Sequence, residues 1–182
     1  MQNKGWITVV GVLLCCMLLG NRKVRLWALI KEQIYVFRND RKERISPWDC
    51  VCFLFFPIVI SFVLVFKLNY TISSDLAELL TTVFSIVFTV LFGFAAIMIS
   101  KIDSKNETEK QVAEETFISI VSSTILCLIS AILSICLTQV KADLYLRLIS
   151  SVVLMISLVI IMLLLLITKR VFILYVQHKK QS

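Results

Sequence analysis

Leu76–Ser100, LAELLTTVFSIVFTVLFGFAAIMIS, is the stretch that decides the environment of this chain. From Leu79 to Ser100 it carries no charged residue. At about 1.5 Å of rise per residue that run extends roughly 33 Å, enough to cross a hydrocarbon layer of about 30 Å. Within it Thr82, Ser85, Thr89, Gly93, Ala96 and Ser100 recur every three or four positions, which places them on one helical face. Helices in lipid gain nothing by hiding leucine from lipid tails. Their association rests on small residues that let backbones approach and on hydroxyls that bond across the gap. The spacing therefore predicts that this face meets another helix, while the bulky Phe84, Phe88 and Leu91 look outward.

The composition agrees with a membrane setting. Of the 182 residues 59% are hydrophobic, with four glycines, two prolines and a mean hydropathy of +0.91. Such a chain is outside the range of a water-soluble domain. The net charge of +7 comes from basic residues gathered at the borders of apolar runs, where anionic headgroups and topology account for them. Direct nucleic-acid binding is not expected. The partners implied are the lipid bilayer itself and other copies of the chain.

Outward from the central span, the fold class reads as all-α. It is a polytopic helical membrane protein with four strong transmembrane helices and a shorter N-terminal apolar helix. Residues 1 to 20 contain GWITVVGVLLCCMLLG, an uncleaved signal-anchor-like helix, because Arg22, Lys23 and Arg25 follow it and no small-residue cleavage motif does. Residues 21 to 48 hold eight basic side chains against three acidic ones, the signature of a cytoplasmic segment. Inside that segment Trp27, Ile30, Ile34 and Phe37 follow helical spacing, a basic amphipathic helix in the interface and a candidate docking face for a cytosolic protein.

Residues 49 to 168 form the four-helix transmembrane domain. Ser46-Pro47-Trp48-Asp49 reads as its helix start, and Pro57 with Ser61 predicts a kink in the first strong span. The span after Leu76–Ser100 runs from Thr116 to Val140 and carries its own small face, Ser119, Ser123, Cys127, Ser130, Ser134 and Thr138. Two matching faces predict either that these spans pack together or that they form equivalent faces around a symmetry axis. Before it, Thr108 and Gln111 have the spacing of a capping box, and the acids around them suit a helix N-terminus. The last span, Leu148 to Thr168, leads into a basic cytoplasmic tail at 169 to 182.

No catalytic, cofactor-binding or metal-ligating residue is assigned. The chain has one histidine, His178, and no H-E-x-x-H, G-x-S-x-G or phosphate-binding glycine loop. The six cysteines sit in or at the ends of apolar runs, where they read as small buried hydrophobes. The spans also lack internal charges of the kind that ion-coupled carriers place at mid-membrane. A non-enzyme is expected, without cofactor.

The order of a basic amphipathic stretch, then RISPWDCVCFLFFP (44 to 57), then LLTTVFSIVFTVLFGFAAIMISKID (79 to 103) resembles small membrane proteins of bacterial anti-phage systems. Examples are the membrane subunit of the Kiwa system and the transmembrane effectors of retron and cyclic-nucleotide systems. The resemblance is one of architecture over roughly residues 23 to 170. It implies a multi-pass protein of the bacterial inner membrane, its C-terminus cytoplasmic, working with a cytosolic defence protein as a membrane effector or a membrane sensor. In the effector case Thr82, Ser85, Thr89, Ser119, Ser123, Ser130 and Ser134 are the candidate pore-lining residues. The alternatives are a small holin-like channel and an accessory anchor of a larger complex.

Overall fold

The computed structural model describes residues 31, 33, 38, 39, 44, 45, 51 to 102, 107 to 140 and 142 to 181. The expectations placed on residues 1 to 20, on Trp27, Ile30, Ile34 and Phe37, and on Ser46–Asp49 lie outside the described residues. Lys31 and Gln33 are helical. Arg38–Asn39 pairs antiparallel with Arg44–Ile45, a two-residue ladder in which Arg38 faces Ile45. Everything else of regular structure among the described residues is helix.

Four helices follow: α1 (Val51–Lys67), α2 (Ser74–Ile102), α3 (Glu107–Gln139) and α4 (Asp143–Gln181). Three of them, α2, α3 and α4, are long and apolar enough to cross a membrane, and α1 is shorter. The expectation of four strong spans is therefore corrected to three and a lesser one. Helix α1 is described from Val51 onward, and Pro57 shapes its turns. It supplies no N–H to the helical ladder, and α1 is built as a seven-residue α-helical core, Phe56–Phe62, between two π-helical segments, Val51–Phe55 and Val63–Lys67. A π turn holds more residues than an α turn and so advances the chain less per residue. Ser61 donates to the Ile58 carbonyl at 3.0 Å, so its hydroxyl is satisfied within α1.

The helices are laid side by side in the order α1, α4, α3, α2. Chain neighbours α1 and α2 are thus at opposite edges, and the segment between them reaches across. It is pinned on the way. Asn69, in the left-handed conformation at φ 52°, accepts a 2.8 Å bond from Arg147 of α4, and the Ile72 N–H donates to Ser150 of α4 at 3.3 Å. Ser73 then caps α2, its hydroxyl accepting from the Leu76 N–H at 3.3 Å.

Burial on the three long helices recurs every seven residues. On α2 the buried positions are Ala77, Phe84, Leu91 and Met98; on α3, Ala113, Ile120, Cys127 and Ser134, with Thr116, Ser123, Ser130 and Leu137; on α4, Val153, Ile160 and Ile167, with Ile156 and Leu163. A sustained seven-residue repeat is the pattern of helices that interlock side chains along a left-handed supercoil. Phe84 and Leu91 accordingly face inward, at 5% and 2% exposure. The expectation that they look outward is overturned.

Helices α3 and α4 both extend beyond the apolar spans expected from sequence. Helix α3 is described from Glu107, and within its first turns Gln111 donates to Glu115 at 3.3 Å. Helix α4 continues through Lys169 and the segment read as a tail, to Gln181. Between α2 and α4, separated by α3, runs an apolar groove of about 310 Å³ lined by Ile86, Val90 and Phe94 on one side and Leu164, Thr168 and Val171 on the other.

Candidate functional site: the hydroxyl faces of two spans

The two small-residue faces end up in opposite environments. Thr82, Ser85, Thr89, Gly93, Ala96 and Ser100 of α2 are all exposed, turned away from the bundle. Ser119, Ser123, Cys127, Ser130 and Ser134 of α3 have no exposed surface at all. The faces do not meet. Helix α3 lies between α2 and α4 and fits large neighbours on both sides, so the small face belongs at its centre. Helix α2, at the edge, contributes the large side chains Phe84, Leu91 and Met98 instead. A Cβ added at Gly93 would have nothing within 4 Å.

The hydroxyls of the outer face are satisfied without any partner helix. Thr82 donates to the Glu78 carbonyl at 3.1 Å, Ser85 to Thr81 at 2.8 Å, Thr89 to Ser85 at 3.0 Å and Ser100 to Ile97 at 2.7 Å. Such back-bonding to the preceding turn lets a hydroxyl face lipid at little cost. The outer face is therefore smooth, slightly polar and low in relief.

The inner face behaves otherwise. Its lower half is bonded: Thr116 donates to Val112 at 2.6 Å, Ser119 to Glu115 at 3.0 Å and Ser123 to Ser119 at 2.8 Å. In its upper half only Thr138 is bonded, donating to the Ile135 carbonyl at 2.8 Å. The hydroxyls of Ser130 and Ser134, fully buried, and of the half-buried Ser122 have no hydrogen-bond partner among the described residues. A buried hydroxyl without a partner costs about 1–3 kcal/mol, and the back-bond open to any serine in a helix is not used at these three.

At the end where α3 begins, a charged cluster closes the inner face. Arg170 of α4 meets the Glu115 carboxylate at 3.1 Å, with the two side chains 12% and 29% exposed. The same guanidinium donates to the Ser119 hydroxyl at 3.3 Å. Gln111 occupies the other carboxylate oxygen of Glu115. The sequence reading took the acids near Gln111, Glu115 among them, as suited to a helix N-terminus, and Arg170 as part of the basic tail. Their meeting depends on α3 and α4 running antiparallel at a particular register, which no local pattern encodes. Among the described residues no three His, Cys, Asp or Glu side chains come together as a metal-binding group.

Comparison with known proteins finds no family model, no curated protein and no solved structure that matches the chain.

Proposed function

We propose that this chain is the membrane-embedded component of a bacterial anti-phage system, an inner-membrane effector or sensor that assembles from several copies and answers to a cytosolic partner. The observation that carries the membrane-acting part is the outer face of α2, a full-length stripe of exposed small and hydroxylated residues whose polar groups are already satisfied. Side chains of this kind permit close backbone approach between copies. Its defence setting rests on the architectural resemblance described above. In the effector form the assembled protein lets the membrane potential collapse through a path with no charged ring to select an ion.

A potential-sensitive dye, followed in cells carrying the full system before and after phage infection, tests this reading. Depolarisation that requires this chain is the expected result. Protection against phage with an intact potential would leave the sensor form alone, and loss of the chain with no effect on protection would remove the defence reading altogether.

A further inference from the structure

We propose that the inner hydroxyl face of α3 is a closed water path within a single chain, and that the Arg170–Glu115 pair is its gate. The inference rests on the leak reading above, and it places the leak inside each bundle rather than at an axis between copies.

The path is laid out by residues already placed. From Glu115 the polar groups Thr116, Ser119, Ser123, Ser130 and Ser134 climb one face of α3 at steps of a turn or two, and all five hydroxyl residues have no exposed surface. In lipid a buried polar group must find a partner, and most serines and threonines described in the long helices, Thr116, Ser119 and Ser123 of this face among them, bond back to their own helix. Ser130 and Ser134 do not. Their unmet bonds make the closed bundle less stable than a bundle with alanine at the same places. Water entering along this face would satisfy them, since buried water characteristically binds polar groups that lack protein partners.

Closure is explained at the Glu115 end. Arg170 is held there by the Glu115 carboxylate at 3.1 Å and by the Ser119 hydroxyl at 3.3 Å at once. It thus bonds to the first turns of the path and fixes α4 against α3. A guanidinium at the mouth also opposes entry of protons and cations by charge, a device that water-selective pores use. Swinging Arg170 away removes the plug and the charge together, and it releases α4 from the Ser119 end of the path. The ligand of the opened face is water, and the species it passes is the proton.

The test uses the full-length chain reconstituted in vesicles that enclose a pH-sensitive dye, with a proton gradient applied across the bilayer. Wild-type vesicles leak slowly, Arg170→Ala leaks several-fold faster, and the charge reversal Arg170→Glu with Glu115→Arg returns the rate to the wild-type value. Adding Ser130→Ala and Ser134→Ala to Arg170→Ala brings the rate down to that of empty vesicles. Thermal unfolding in detergent controls for folding: these two alanines hold or raise stability, because each removes a hydroxyl without a partner. If instead the Arg170→Ala leak survives both alanines and is abolished by Thr89→Val with Gly93→Leu, the path lies between copies. That result overturns this inference and keeps the leak reading. Absence of any leak above empty vesicles in Arg170→Ala overturns both.

Discussion

Phe84 and Phe92 are both phenylalanines of α2, eight residues apart, yet one is 5% and the other 67% exposed. In water the difference would be dominated by transfer out of solvent. In a bilayer the exposed ring already lies in an apolar medium, so what Phe84 gains is close packing and the absence of a void. Phe84→Ala is expected to lower stability in detergent by about 3 kcal/mol, within the range for emptying a packed aromatic site. Phe92→Ala should leave it within about 0.5 kcal/mol, as substitutions away from packed sites do. Reversible denaturation of the two variants side by side checks this, and equal losses would contradict the inward placement of the heptad positions. The same physics explains why this face was not legible in the sequence. When both sides of a helix are apolar, hydrophobic periodicity no longer separates inside from outside. Size remained as the signal, and it pointed inversely for Phe84 and Leu91, which are buried as the small Ser123 and Ser130 are.

At the scale of elements, the existence of α2, α3 and α4 was readable from uninterrupted apolar length alone, because a bilayer demands it. What could not be read was the order in which they pack. Helix α3 sits between α2 and α4, and only a central helix needs small residues on its inner side. The stripe on α2 is left for something outside the chain. Because a side chain at Gly93 would meet no atom of the bundle, Gly93→Leu should leave the monomer's thermal stability unchanged while lowering the oligomer size in mild detergent at equal expression. A smaller oligomer with intact stability supports assembly through α2. An unchanged size for both Gly93→Leu and Ala96→Leu would exclude it. Pro57 gave a partial reading: a disturbance of α1 was foreseeable from a missing N–H, but the π-helical segments flanking it depend on how the neighbouring turns re-pair.

At the scale of the whole molecule, the basic segments around residues 21 to 48 and after Thr168 should lie on the same side of the membrane. Reporter fusions after Arg44 and after the last residue should give the same cytoplasmic signal, whereas opposite signals would mean that the number of crossings between them is odd. The clasp of Arg170 and Glu115 is a whole-molecule feature in the same sense: its partners are separated by 55 residues and meet only because α3 and α4 turn back on each other. Helix α4 has 39 residues and is therefore about 58 Å long, roughly twice the hydrocarbon thickness. Beyond Arg170 it continues to Gln181, a further rise of roughly 17 Å. That overhang is a lever with its fulcrum at the ion pair. A sideways displacement of about 3 Å at its tip tilts the rod by about ten degrees at the root. A protein that grips the last turns thus gains mechanical advantage over a contact it never touches, and torque at the tip becomes separation of two charges at the base.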